Sequence, residues 1–446
     1  MDTQILRELV RKAVHIGVGL LAFAVVVLGP AAAAGLAVAL LVFNAAVLQR
    51  VGGRWLWRRD EIERGVATGI VAYPASVLVL ILIFWRRSEV AAAVWAILAF
   101  GDGMATVLGV LRGRRELPWN RRKTWIGSLA YWLFGAAGAS AVLTSSAGWQ
   151  GREVPAVFVF TVAGLAALFA AWIESQPQRL DDNLTVPLPT ALVLLGLLQS
   201  QEWASRVRLE DVAAAAAVGA IVLMVLAVAA WWARAIDLSG AVAGCLLGTA
   251  IFAFQGWGGL VLLAAFVALG SAATRIGLDR KIVAQEDGGR RGARHAVANA
   301  GVAAVAAVFA ATTPYREVYL LALAGAFAAA ASDTLSSEIG QLWGRRTVLI
   351  TSLRPVPPGT DGGISAIGSV AGAAGSLALG VLGWAVDFYP SPGIAAVFSA
   401  GTVGSVADSL LGATLENGGW LDNQGVNFTA TLVGAAVAAA LAPWLS

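Results

Sequence analysis

Apolar runs about 17–25 residues long follow one another along almost the whole chain, and that is the length a helix needs to cross a bilayer. Of the 446 residues 58% are hydrophobic and 13% charged, whereas soluble domains carry about 25% charged residues. The pattern predicts an all-α, polytopic membrane protein with about fifteen spans. Their centres fall near residues 21, 40, 76, 192, 247 and 266, among others. The first run, 13–29, is followed by small residues at 31–34 that would suit a leader-peptide cleavage site. It is read as a retained span, because many later spans make a leader unnecessary and it carries His15. The single cysteine, Cys245, excludes an intramolecular disulfide. Net charge is +4, and the only lysines are Lys12, Lys123 and Lys281. The arginines cluster in loops at 50–64, 112–123 and 275–294. That distribution marks membrane orientation and not nucleic-acid binding, and it places the N-terminus and these loops in the cytoplasm.

Against that apolar background the ionisable residues stand out. A carboxylate inside a membrane segment costs roughly 2.5–3.5 kcal/mol on insertion scales, so it has a partner or a task. Asp102 sits between Gly101 and Gly103 within an apolar run. A basic loop follows and carries Lys123 and Thr124 into a Gly127-Ser128 helix start, a natural cradle for phosphate. Near the N-terminus Glu8, Arg11, Lys12 and His15 share one helical face. A hydrophilic segment at 174–183 holds Glu174, Asp182 and Asn183. It reads either as a polar turn or as a carboxylate cluster suited to Mg²⁺.

A polar, mixed stretch at 199–211 divides the chain into domains 1–200 and 201–446. The second domain repeats the arrangement. Arg291 and His295 precede an apolar run. Asp333 and Glu338 end another. A loop then supplies Arg354, Thr360, Asp361, Gly362, Gly363 and Ser365, followed by Asp408, Glu416 and the pair Asp422-Asn423. The order matches that of Asp102, the 123–128 loop, Glu174 and Asp182-Asn183, and so predicts a weak internal repeat.

Cations, carboxylates and glycine turns at one membrane face suit a nucleotide and a lipid-soluble acceptor, because phosphoryl transfer needs mainly positioning and charge neutralisation. No Walker A motif and no protein-kinase signature set is present. RELVRKAVHIG, GDGMATVLG with LPWNRRKTWIGS, and ESQPQRLDDNLTVPL resemble motifs of membrane phytol kinases, relatives of dolichol kinase and the CDP-diacylglycerol synthases. The second half, through SDTLSSEIG, TSLRPVPPGTDGGIS, ADSLLGATLE and LDNQGVNF, resembles an integral membrane family that includes phytyl-phosphate kinases of tocopherol synthesis.

The resemblance implies a bifunctional kinase that converts a prenyl alcohol to its monophosphate and then its diphosphate, using CTP or another nucleoside triphosphate with Mg²⁺. It implies Asp102, Asp182, Asp333, Glu338, Asp361 and Glu416 as metal candidates, and His15, Glu174, Asp408 and Asp422 as further catalytic candidates. Phosphate and nucleotide contacts are expected from Lys12, Gly101, Gly103, Lys123, Thr124, Gly127, Ser128 and Asn183. In the second half they are expected from Arg291, Arg354, Thr360, Gly362, Gly363, Ser365 and Asn423. Cytidylyl transfer to a lipid phosphate and membrane transport stand as alternatives.

Overall fold

The computed structural model describes residues 3–48, 68–177, 181–201, 207–232, 235–276 and 291–444. The basic loop at 50–64 and residues 277–290 lie outside them. The chain forms two compact units, Met1–Leu198 and Gln199–Ser446.

The first unit runs α1 (Thr3–Gly19), α2 (Ala22–Leu48), α3 (Thr68–Ile83), α4 (Trp85–Arg112), a hairpin of β1 (Glu116–Leu117) and β2 (Asn120–Thr124), α5 (Trp125–Trp149), α6 (Ala156–Ser175), a one-turn α7 (Asp182–Thr185) and α8 (Pro187–Gln199). The second runs α9 (Leu209–Trp232), α10 (Leu238–Arg275), α11 (Ala293–Thr312), α12 (Arg316–Trp343), a hairpin of β3 (Thr347–Leu349) and β4 (Gly363–Ser365), α13 (Ala366–Ala385), α14 (Gly393–Glu416) and α15 (Asn423–Leu441). The protein is a multi-pass, helical membrane protein. Its described strands form two short antiparallel hairpins.

Among the described residues eleven helices are long and apolar enough to cross a membrane, fewer than the roughly fifteen segments expected from run length. Interruptions account for the difference. α2 breaks at Gly29-Pro30, and α10 breaks at Gly256 with φ +59°. A Cβ on Gly248 would lie 3.1 Å from the Leu263 side chain, so α10 folds back as a helical hairpin of two arms. α3 and α8 are apolar but only 16 and 13 residues long.

The core of each unit surrounds one central helix. In α4 every residue from Val90 to Ala99 is at most 1% exposed, and in α12 Leu323, Phe327 and Ala331 are fully buried. With lipid outside, packing and not hydrophobicity holds such helices together, so small residues line the interfaces.

The two units share an interface motif. Asp102 lies as far into α4 as Asp333 lies into α12. The Gly113 amide donates to Gly109 at 2.9 Å, and Gly344 donates to Gly340 at 2.8 Å. Thr124 caps α5 by accepting from the Gly127 amide, and Ser365 caps α13 from Gly368, both at 3.2 Å. A Cβ on Gly127 would meet the Ala105 carbonyl at 3.2 Å, and one on Gly368 would meet the Ser336 carbonyl at 2.5 Å. Partners are 231 residues apart before the hairpin (Asp102 to Asp333) and 241 after it (Thr124 to Ser365), so the second hairpin carries the insertion.

The repeat therefore pairs residues 124–128 with 365–369, not with the 359–365 loop, which is largely the inserted segment. The helix caps also shift the acidic pairing by one residue. Asp181 accepts from the Asn183 amide at 3.0 Å as Asp422 accepts from Gly425 at 2.9 Å, so Asp181, not Asp182, matches Asp422.

The inserted loop is pinned at Gly362. Its φ is +74°, and a Cβ there would sit 2.4–2.6 Å from Ala413 on α14. A non-glycine residue pays about 1–2 kcal/mol for that backbone region alone. Gly362→Ala is expected to lower the thermal unfolding midpoint in detergent, while Gly148→Ala, in open space on α5, leaves it unchanged. Equal midpoints would refute the pinning.

Candidate functional sites

In the first unit the polar residues of the N-terminal stripe meet Asp102. Lys12 is 4% exposed and donates to the Asp102 carboxylate. His15 Nε2 lies 3.5 Å from the same carboxylate and from the Leu98 carbonyl, with its ring 4.1 Å from that of Tyr73. Tyr73 is fixed in turn by the Trp95 indole, which donates to its hydroxyl at 2.7 Å. The α1 stripe is thus the counter-ion of a carboxylate 90 residues away.

The β1–β2 hairpin brings Lys123 between Glu174, at the end of α6, and Asp182, to which it donates at 2.9 Å. Burial works against the Lys123 charge, but the two carboxylates prevail and hold the ammonium pKa above its ordinary value. The Asp182 carboxyl is pushed up, first by burial and then by Asp102 and Asp181, with Lys123 opposing. Asn183 donates to Asp181 at 2.6 Å, which leaves its Oδ1 without a partner among the described residues. The Ser128 hydroxyl, also buried, has none either.

Two expectations change here. Gly101 and Gly103 serve packing: a Cβ would sit 2.8 Å from the Tyr131 ring and 2.4 Å from Ile16, respectively. Asp102 and Asp182, expected as metal ligands, are each already paired with a lysine.

In the second unit a cavity of about 1220 Å³ opens among α11, α12, α13, α14, the inserted loop and the start of α15. Asp333, Glu338, Asp361, Asp408, Glu416, Asp422 and Asn423 all line it. So do Thr360, Gly362, Gly363 and Ser365, whose loop folds over it. The Asp333 and Asp408 side chains come within hydrogen-bond reach of each other, and Asp408 Oδ2 has no partner among the described residues. Two carboxylates that close require a shared proton or a cation between them. Thr347 and Gln424, whose Oγ1 and Oε1 have no partner among the described residues, also line the cavity.

The cations come from α11 and its approach. Arg291 donates to Thr274 at 3.0 Å and faces Glu338. Burial draws its pKa down, with Glu338 opposing. Arg294, not singled out from the sequence as a phosphate contact, spans 2.5 Å to Asp422. His295 is on the same wall. Arg354, expected in this role, is exposed and is not part of the lining, because the inserted loop turns it outward. Among the described residues no three His, Cys, Asp or Glu are grouped to hold a metal by themselves. A pair of carboxylates completed by substrate phosphates is nevertheless the donor set Mg²⁺ takes, and the Asp333–Asp408 pair fits it.

The integral membrane protein family DUF92 matches residues 221–435. An uncharacterized membrane protein of Synechocystis is 40% identical over 199 residues, 43% of this chain and 77% of that protein. The chloroplastic protein VTE6 of Arabidopsis thaliana is 32% identical over 213 residues, 46% of this chain and 64% of that one. A probable phytol kinase of Triticum aestivum is 34% identical over 139 residues, 30% of this chain and 45% of that one. No solved structure matches the chain significantly. Through its second unit, the chain belongs to the DUF92 family of integral membrane proteins.

Proposed function

We propose that the protein is a membrane prenol kinase with two sequential sites. The first unit phosphorylates a prenyl alcohol of the phytol, geranylgeraniol or farnesol class, and the second converts the monophosphate to the diphosphate. The donor is CTP or another nucleoside triphosphate, drawn from the cytoplasm, which the N-terminus and the motif loops face. The observation that carries this reading is the duplicated site, each copy built on an intramembrane aspartate beside a capped glycine helix start, in a chain similar to a phytol kinase.

In the first step the alcohol oxygen attacks the γ-phosphorus, and the bond to the β–γ bridging oxygen breaks. The nucleoside diphosphate leaves with that electron pair, and Glu174 or His15 takes the alcohol proton. Lys123 stays charged and meets the γ-phosphate. In the second step a phosphate oxygen of the monophosphate attacks the γ-phosphorus of a second nucleoside triphosphate, the bond to its β–γ bridging oxygen breaks and nucleoside diphosphate leaves with that electron pair, with Arg291 and Arg294 steadying the phosphate groups. Asp333 and Asp408 would hold Mg²⁺, which would neutralise charge on the nucleotide phosphates. An amphiphilic intermediate confined to one membrane passes readily between two sites on one chain.

Purified protein in detergent with geranylgeraniol or phytol, Mg²⁺ and γ-labelled CTP is expected to yield labelled lipid mono- and diphosphate. Label transferred from α-labelled CTP instead would replace the kinase with a cytidylyltransferase. No labelled lipid with any nucleoside triphosphate would overturn both.

A further inference from the structure

The cavity of the second unit is too polar for the whole of a lipid substrate. Its lining carries three aliphatic side chains larger than alanine, Ile350, Ile364 and Val406, and no aromatic ring. A hydrocarbon chain moved from lipid onto serines, carboxylates and arginines loses its apolar surroundings, so these walls suit a head group and a nucleotide and not a prenyl chain. The chain needs a way to stay outside while the head reaches Asp333 and Asp408.

α13 and α14 leave one. Ser369, Ala373, Ser376 and Gly380 recur at i, i+4, i+7 and i+11 on α13, and Gly401, Ser405, Asp408 and Gly412 do so on α14, so each set shares one face. The faces are pinned at both ends. Toward the membrane interior a Cβ on Gly401 would collide with the Ser376 hydroxyl, and one on Gly380 would lie 3.1 Å from the Ile394 carbonyl oxygen. Toward the hairpin a Cβ on Gly412 would lie 3.0 Å from the Gly362 amide nitrogen of the inserted loop. Between these contacts, over about 16 Å of α14 at the helical rise, Ser369, Ala373, Ser405 and Asp408 all line the cavity. Ser369 is exposed, and Val406, also in the lining, is 46% exposed. Val406 stands about 15 Å before the end of α14, so the cavity opens sideways within the spanning part of the helix.

The first unit closes the matching place. The spacing that pairs Thr124 with Ser365 also pairs Trp132 with Ala373. The Trp132 indole donates to the Gly164 carbonyl at 2.9 Å and so ties α5 to α6. Where the first unit has that indole, the second has one methyl group on the cavity wall.

We propose that the gap between α13 and α14 is a lateral window. The lipid acceptor of the second unit enters through it from the bilayer, phosphate first, and its prenyl chain stays in the membrane while the phosphate reaches the Asp333–Asp408 pair. The proposal rests on the two-site kinase reading above and adds a specificity to it. Ala373 and Ser405 set the width of the opening, and the site grips the phosphate and the nearest carbons, so farnesyl and geranylgeranyl monophosphates are used alike.

The test seals the window in the full chain and reads lipid binding apart from catalysis. In a Cys245→Ala background, Ser369→Cys is reacted after purification with a bulky methanethiosulfonate that reducing agent removes. Leu377→Cys, at a position 46% exposed on the same helix beyond the Ser376 contact, is the control. Label at 369 is expected to abolish conversion of geranylgeranyl monophosphate to the diphosphate, to leave binding of labelled CTP unchanged, and to be reversed by reduction, whereas label at 377 changes nothing. Geranylgeranyl monophosphate is expected to raise the thermal midpoint of the unlabelled protein and to lose that effect when 369 is labelled. Ala373→Trp is expected to give the same pattern without a reagent, and if it does not fold the label decides. At equal mole fraction in nanodiscs, farnesyl and geranylgeranyl monophosphates are expected to agree in kcat/KM within about threefold, whereas a pocket holding the chain separates substrates by about 10–200-fold for one methylene. Undiminished conversion by protein labelled at 369, equal loss from label at 377, or a strong chain-length preference would overturn the window while leaving the kinase standing. A parent that phosphorylates no lipid would instead remove the kinase reading, and the midpoint shift with its loss on labelling would then decide the window alone.

Discussion

Asp333→Asn is expected to stop product formation at the prenyl monophosphate, lowering the second step by a factor of about 10²–10³, the scale of removing one electrostatic contact made to a transition state. The carboxylate lies within reach of Asp408, whose Oδ2 has no other partner among the described residues. Neutralising one acid leaves a hydrogen-bonded Asn–Asp pair that still fits the space but no longer offers two anionic oxygens to a cation carrying substrate phosphates. Asp408→Asn is expected to give the same product pattern, since the pair and not either acid is the unit. Asp102→Asn, in the other unit, blocks use of the alcohol while exogenous monophosphate is still converted. The readout is chromatography of labelled lipids from alcohol and, separately, from monophosphate. Diphosphate formed at the parent's rate by Asp333→Asn would remove the pair from the reaction.

Much of this was legible in the sequence because lipid-spanning helices leave charges nowhere to hide. Asp102, Asp333 and Asp408 announce themselves as carboxylates in apolar runs, and the apolar runs themselves give the helices. The breaks at Gly29 and Gly256 were legible too, as separate run centres on either side. What could not be read was pairing across the chain. That Lys12 neutralises Asp102, and that Arg294 rather than Arg354 faces Asp422, depends on which helices pack together. The repeat was visible in its acids but set in the wrong register, because the residues that fix it, Gly109 with Gly113 and Gly340 with Gly344, are lost among 51 glycines. Gly101 and Gly103 misled for the same reason: a glycine beside an acid suggests a phosphate turn, whereas here each makes room for a neighbouring side chain. One signal available earlier was the shared GRR at 113–115 and 344–346, which sets the offset of the central helices correctly.

Lys12→Met is expected to be the most destabilising single change in the first unit. The Lys12 and Asp102 side chains are 5% and 10% exposed, so removing the ammonium leaves a carboxylate among buried helices, with His15 Nε2 3.5 Å away. Breaking one half of a buried ion pair costs about 3–5 kcal/mol, most of it the burden of the charge left behind. The double variant Lys12→Met with Asp102→Asn removes both charges and is expected to recover most of that loss, because exchanging a buried pair for neutral groups is close to neutral. Thermal unfolding of the three proteins in detergent measures the cycle. This also separates the two roles open to Lys12. As counter-ion, its loss appears in the midpoint and is rescued by Asp102→Asn. As nucleotide ligand, its loss would leave the midpoint in place, raise KM for the nucleotide, and gain nothing from the second substitution. The geometry favours the first: the ammonium donates into Asp102 from a helix face where Glu8 already holds Arg11, whereas Lys123, the more exposed lysine, keeps the phosphate contact proposed for it.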